Sequence, residues 1–496
     1  MSTTKDIIKG LLKGVADNKI SLFGGLITAC LFPILVTYAI LENFHILDHP
    51  KLSFIMYGAL TWVFILGHFM VFIGLFVVRS KKGSPLFYAT QFKEHLAEPK
   101  KFGSMHKVIL LVTFITLVNI FVISVSAYNG FHYSESVDFC ARLCHGVMAP
   151  EFTAYQNSPH SRVGCVKCHI GSGATWFMKS KLSGIRQLFA VVWDTYSKPI
   201  ETPIHGLRPA RETCEQCHRP ELFHGDRLRV LDKFLEDEQN THVRTVLLMK
   251  VGSGDYRGLK PQGSHWHVAG SRNIIYQHSD RERTRIKDVI MIDENGVETL
   301  YAVNSQETNE VETSEGGGIR EMDCLDCHNR PTHIYLYPDE ALDLKLMTGE
   351  IPRELPYIKK LGRDLIEKDY TSQQEARKVI AQELLSWYAL NYPELVAEKP
   401  SQLDKAITGV SLAYCENVFP KMNIGYGTYE RNIGHRNEGG CFRCHDDSHQ
   451  SLVGGTISQS CDLCHLIIAE EEPVDDLART IEDALDDIQP VLKAPE

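Results

Sequence analysis

Three long apolar runs dominate the first 130 residues: Leu22–Leu41, Phe54–Val78 and Val108–Tyr128. Each is close to the ~20 residues that cross a bilayer as a helix. The pattern predicts three spans. Ahead of them, residues 1–20 place Ile7, Ile8, Leu11, Leu12 and Val15 at helical spacing among Lys5, Lys9, Lys13 and Lys19, the signature of a short interfacial helix. No small-residue cleavage site follows it, so the first span reads as an uncleaved anchor. After residue 130 no run is long enough to span. Val246–Val251 reads as a strand there, and Val289–Ile292 with Val297–Val303 reads as a hairpin around Asn295-Gly296.

Charge orients these elements. The chain carries 52 Lys/Arg against 62 Asp/Glu, but residues 1–130 hold twelve basic and six acidic side chains. The acidic remainder argues against nucleic acid as a partner, because phosphate binding needs a clustered basic face. Near the spans, the amino end has four Lys and the second loop has Arg79, Lys81, Lys82, Lys93, Lys100, Lys101 and Lys107, whereas the first loop has only Lys51. By the positive-inside rule the amino end and second loop face the cytoplasm, and everything after the third span lies outside.

Fourteen cysteines then change the picture. Twelve fall in pairs followed directly by His: Cys165-x-x-Cys168-His169, Cys214-x-x-Cys217-His218, Cys324-x-x-Cys327-His328, Cys441-x-x-Cys444-His445, Cys461-x-x-Cys464-His465 and a wider Cys140-x-x-x-Cys144-His145. At this composition chance predicts roughly 0.02 matches to the narrow motif. C-x-x-C-H is the attachment signature of c-type haem, in which two thiols form thioethers and the His becomes an axial iron ligand. Zinc knuckles do not explain why each second Cys precedes His. The spacing therefore predicts six c-type haems. The first three occupy about 26 residues apiece, too little polypeptide for an apolar core, so the porphyrins must largely supply it.

Six-coordinate haems need a second ligand each. The candidates are His160, His205, His265 or His267 in His-Trp-His, His333, His435 and His449, with Met148 able to offer a thioether to the first haem. His68, inside the second span, is expected to make an interhelical hydrogen bond. Cys30, in the first span, reads as a small apolar residue. The predicted fold class is a membrane-anchored multihaem cytochrome c: three transmembrane α-helices plus a mainly α/irregular, haem-cored periplasmic region with a small β-rich insert. Its expected parts are a cytoplasmic interfacial segment (1–20), a membrane anchor (21–130), a trihaem domain (131–225), the β-rich insert (226–320), a second trihaem domain (321–465) and an acidic tail (466–496) read as a solvated amphipathic helix.

Phe139-Cys140, Val147-Met148-Ala149-Pro150-Glu151, Tyr155, Asn157-Ser158-Pro159-His160, Cys168-His169-Ile170-Gly171, Lys179-Ser180-Lys181 and Arg208-Pro209-Ala210-Arg211-Glu212-Thr213-Cys214-Glu215-Gln216-Cys217-His218 together resemble the NapC/NirT family of membrane-anchored multihaem quinol dehydrogenases. The three-span anchor and the three later haem motifs resemble the larger inner-membrane quinol-oxidising cytochromes of the ImcH type. The resemblance implies menaquinol oxidation at the first haem, with Met148 in the place of the family's methionine ligand and Lys179 or Lys181 in that of its quinol-site lysine. Two departures stand out. Met148 follows His145 by three positions where the small members have two, and no clear carboxylate follows Gly184, Gln187 being nearest. The resemblance also leads us to expect one further haem; Cys415 is either its single-thioether relic or, since no Cys-His pair follows, an ordinary thiol.

The expected function is an inner-membrane menaquinol dehydrogenase that passes electrons through six haems to periplasmic c-type cytochromes in anaerobic or extracellular respiration. The alternative is a multihaem terminal reductase of nitrite or another oxyanion, which needs an iron with an open position. A haem-based sensor or scaffold fits poorly, since no output domain is recognisable.

Overall fold

The computed structural model describes residues 15–482 apart from 17, 44–45, 47–49, 83–98, 144, 205–206, 224, 253–262, 269–272, 304–316 and 437–438. The chain divides into two compact units, Met1–Met148 and Ala149–Glu496.

In the first unit the apolar runs fold as helices long and apolar enough to cross a membrane, over Lys19–Glu42, Ile55–Gly74 and Ile109–Ser134. Helices suit such runs because each satisfies its own backbone groups without water. The second rises through a π-helical stretch, Phe54–Leu60, into Thr61–Lys82. Glycine lets the first two spans approach closely: a Cβ on Gly24 would stand 2.5 Å from the Gly67 carbonyl oxygen, and one on Gly74 2.6 Å from the Ser21 nitrogen. Their outer faces carry Phe23, Trp62, Phe72 and Phe121, each more than half exposed, as lipid-facing side chains should be. Nearly all of the predicted interfacial helix, and most of the basic second loop, lie outside the described residues.

His68 does not bridge two helices. Its Nδ1 donates to the Phe64 carbonyl at 2.9 Å, one turn back on the same helix. Backbone acceptors four residues away are the cheapest partners available to an imidazole in an apolar span. Its ring also lines a groove of about 390 Å³ with Thr28, Phe32, Phe114 and Asn119.

The second unit has two antiparallel sheets. Strands β1 (Asp226–Phe234) and β2 (His242–Lys250) pair along their full length, and β2 also pairs with β8 (His465–Pro473). The other sheet runs β6-β3-β4-β5-β7, with β3 at Asn273–His278, β4 at Ile286–Ile292, β5 at Glu298–Val303, β6 at Gly318–Glu321 and β7 at His449–Ser451. Asn295-Gly296 forms the β4–β5 turn, Gly296 supplying φ +79°. The insert is thus closed by two strands from far along the chain.

Two stretches differ from the sequence reading. Residues 465–473, where the acidic tail begins, form β8, because Leu466, Ile467 and Ala469 pair across to Leu248, Leu247 and Val246 of β2. Between the fourth and fifth haem motifs, residues 338–418 fold as a helical bundle with an all-protein core that includes Leu342, Leu355, Ile358, Ile380, Tyr388 and Val410. Cys415, 6% exposed, ends helix Pro400–Cys415 inside that core, and burial pushes its thiol up. The thiol packs among the side chains of that core, as free Cys commonly does.

Candidate haem-binding sites

Each narrow motif winds into a single turn. Helices Cys165–His169, Ala210–Cys214 and Cys324–Cys327, and 3₁₀ turns Gly440–Arg443 and Cys461–Leu463, carry the first cysteine of each motif. Backbone bonds such as His218 N–H to Cys214 O (2.8 Å), His328 N–H to Cys324 O (2.8 Å) and His445 N–H to Cys441 O (3.0 Å) close those turns. Residues i, i+3 and i+4 of a turn share one face, so both sulfurs and the imidazole point the same way. Around the fourth motif a buried ion network fixes the turn: Asp326 accepts from Tyr276 (2.5 Å), Arg283 (3.0 Å) and Arg320 (3.1 Å).

Opposite five motif histidines stands a second imidazole. Ring centroids are 6.2 Å apart for His169 and His333, 6.1 Å for His218 and His160, 6.4 Å for His328 and His265, 5.8 Å for His445 and His267, and 6.3 Å for His465 and His435. Two imidazole–metal bonds of about 2 Å, plus about 1.1 Å from each nitrogen to its ring centre, put centroids about 6.2 Å apart across one metal. The rings are spaced to fit a haem iron.

Their tautomers fit as well. Nδ1 of His160, His333, His265, His267 and His445 lies 2.7–3.3 Å from the carbonyl oxygens of Pro331, Glu151, Val251, Ser264 and Ser458. A carbonyl only accepts, so Nδ1 is the donor and Nε2 keeps its lone pair for a metal. Burial also holds His169, His267 and His328 below the ordinary imidazole value, keeping them neutral.

His-Trp-His serves two sites at once. On the 3₁₀ turn Ser264–Val268, His265 faces His328 and His267 faces His445, while Trp266 between them packs on Ile274, Tyr276 and Val289 of the five-stranded sheet. The sequence offered either histidine; each stands opposite a motif histidine. Among the described residues His449 meets no motif histidine. It is fully buried against Asp446 at 2.9 Å, with its Nε2 unpartnered. His205 and Cys144 lie outside the described residues, as does the side chain of His145; Met148 is half-buried on helix His145–Gln156.

The motifs also form a file that the sequence did not reveal. The sulfurs, which would be thioethers in the haem-bearing protein, mark the order. Cys168 is within electrostatic reach of Cys217, Cys214 hydrogen-bonds to Cys324, Cys327 is near Cys441 and Cys444, and Cys464 is near Cys441. Motifs two to six are therefore neighbours in chain order.

Lys179 and Lys181 sit on helix Ala174–Val192, stacked over Trp176 (4.7 Å) and Phe177 (4.9 Å). That helix exposes an apolar stripe, Met178, Leu182, Ile185, Phe189 and Val192, each 49–67% accessible. An apolar stripe beside basic side chains is the pattern of a helix lying in a membrane interface.

The sequence profile of the NapC/NirT cytochrome c family, N-terminal region, matches residues 102–227. Over 462 residues, 92% of this chain and 89% of the relative, the sequence is 38% identical to the cytochrome c-type protein ImcH of Geobacter sulfurreducens. No solved structure matches significantly.

Proposed function

Because the chain belongs to the family of c-type cytochromes that includes ImcH, we propose that it is an inner-membrane menaquinol dehydrogenase carrying six c-type haems. Each haem, when bound, accepts and passes one electron at a time. The observation that carries this reading is the single file of five imidazole pairs joined to a three-span anchor. A file of closely neighbouring sites suits transfer over distance, and an anchor suits a lipid-soluble donor.

The chain's residues divide the work. Cys140, Cys144 and His145, with Met148 as the second ligand, hold the first haem; the five narrow motifs hold the rest. His333, His160, His265, His267 and His435 are the opposing ligands of motifs two to six, their Nδ1 bonds or surrounding packing setting ring orientation. His205 and His449 take no assigned iron. Lys179 or Lys181 binds a quinol oxygen, and their helix, apolar on one stripe, suits a substrate dissolved in lipid. The basic amino end and second loop face the cytoplasm, which leaves every haem periplasmic. The sixth motif, last in chain order, is the far end, where a soluble periplasmic c-type cytochrome collects electrons.

The terminal-reductase reading is disfavoured because imidazoles oppose each other in all five described pairs, leaving those irons no open position. The test uses purified full-length protein in nanodiscs mixed with a reduced menaquinol analogue. Haem absorption should shift to the reduced form. Protein that dithionite reduces but the quinol does not would sink the proposal.

A further inference from the structure

The first unit contains a polar cluster that its apolar spans do not lead one to expect. Glu42 ends the first span. Ser53 Oγ donates to its Oε1 at 2.9 Å, and the Tyr38 hydroxyl lies 2.7 Å from Ser53 Oγ and 3.3 Å from the same carboxylate oxygen. Tyr57, at the start of the second span, donates to Oε2, and Asn129, near the end of the third, donates to the Tyr57 hydroxyl at 3.4 Å. The first two spans thus meet on one carboxylate, and the third joins the cluster through the Tyr57 hydroxyl. Tyr133 stands within electrostatic reach of Glu42 and of Asp138, the latter paired with Arg142 at 3.1 Å. The short helix Pro50–Ser53 packs against Asp138–Leu143, the turn that carries Cys140.

Tying span ends together does not require a charge. An anion at the edge of the hydrocarbon is costly, and among the described residues no Lys or Arg pairs with Glu42. Hydroxyls take its place. Tyr38, Ser53 and Tyr57 are 3–4% exposed, whereas Glu42 is only half-buried. A carboxylate has about four lone-pair positions. Among the described residues the buried hydroxyls occupy up to three, which leaves the open side of Glu42 acceptor capacity for one further donor. A lipid-soluble molecule with a hydroxyl matches that vacancy in chemistry and in place, next to the first haem motif.

We propose that Glu42 is the base that takes the quinol's protons. This rests on the reading above that the protein oxidises a quinol, and it supplies the carboxylate missing after Gly184. The quinol loses two protons and two electrons and becomes the quinone. One O–H bond breaks, its proton forms an O–H bond on Glu42, and an electron leaves to ferric c-type haem, the oxidant. The Glu42 acid then releases the proton to water, directly or by relay through Ser53 and Tyr38. The regenerated carboxylate accepts the second proton as the second electron leaves. Tyr38, Ser53 and Tyr57 are positioning residues that hold the carboxylate.

The experiment compares wild type, Glu42→Gln, Glu42→Asp and Tyr57→Phe as full-length haem-loaded protein in nanodiscs, mixed rapidly with a reduced menaquinol analogue. Loss of a general base lowers the rate by about 10²–10⁴-fold, so Glu42→Gln should slow haem reduction at least 100-fold while dithionite reduces it fully. Wild-type rate should fall as pH drops and the base protonates. Glu42→Gln should lose that limb, and Glu42→Asp should restore it with a shifted midpoint. Infrared difference spectra should show a protonated carboxyl band on quinol addition, absent in Glu42→Gln. If Glu42→Gln misassembles, Tyr57→Phe, which removes one donor, should still displace the acid limb. Unchanged rates and pH profiles in the variants overturn the Glu42 assignment alone. A wild type that quinol cannot reduce overturns it together with the function on which it rests.

Discussion

Residues 149–218 and residues 338–418 belong to one compact unit and are built on opposite principles. In the helical bundle Leu342, Leu355, Ile358, Ile380 and Val410 are fully buried, and the side chains that exclude water are the protein's own. In the earlier segment the buried apolar side chains among the described residues are Pro150, Ala154, Tyr155 and Ala210. That is far too little to offset the ordering entropy of some 70 residues, at about 1–2 kcal/mol each. The earlier segment nonetheless holds its backbone in defined turns, each centred on a motif. The difference says that one region folds on itself and the other folds on its cofactors.

Withholding haem gives the largest expected effect. In protein made without haem attachment, or carrying Cys214→Ser with Cys217→Ser, backbone amides of 149–218 should lose hydrogen-exchange protection, while those of helices Gln373–Asn391 and Pro400–Cys415 keep theirs. Retained protection in 149–218 would mean that the segment has a polypeptide core after all.

The bundle should fail in the converse way. Lys359 is 2% exposed; its Nζ donates to Asp343 Oδ1 at 2.6 Å and to the Asp339 carbonyl at 2.9 Å. Burial already pushes the Asp343 carboxyl up despite this partner. Lys359→Met strands that carboxylate, and breaking a buried pair from one side costs about 3–5 kcal/mol. Thermal unfolding followed by Trp387 fluorescence should move down accordingly, with the haem absorption of the intact protein unchanged. Adding Asp343→Leu should recover most of the loss. A haem spectrum that shifts with Lys359→Met would show that the two principles are not separable.

How far the sequence discloses these regions follows the same division. Covalent haem attachment imposes fixed local spacing, so every motif was legible, and so were the spans, whose length the bilayer sets. The candidates His160, His333 and His435 stand opposite motif histidines, but partners 164 residues apart in the chain, such as His169 and His333, are joined only by the fold. Spacing could not rank His449, four after His445, below them. It packs on Asp446 because β7 carries it into the sheet. The bundle was missed because its signal is ordinary amphipathic helix, which attention to cysteine spacing passes over. The capping of Gln373 onward by Ser372, whose side chain accepts from Glu375 N, was the available cue. Glu42 is illegible for a related reason: its partners Tyr38, Ser53 and Tyr57 flank the first loop on both sides and are joined only by the fold.

The smallest effect tests the hinge between the two principles, the turn Ser264–Val268, where a protein-cored sheet presents ligands to haem-cored sequence. Trp266 is held by the sheet core, so its neighbours are displayed at fixed positions on either side. His265→Ala should remove one ligand opposite His328 and leave the His267–His445 pair intact; His267→Ala should do the reverse. Each variant should therefore convert one low-spin ferric haem to high spin in the electron paramagnetic resonance spectrum, with bundle unfolding unaltered, and the double variant should convert two. If either single substitution changes two haems, the turn is a mechanical unit whose ligands stand or fall together. If neither changes any, these imidazoles face the motif histidines without binding iron, and the β-rich insert is a support for the haem file rather than part of it.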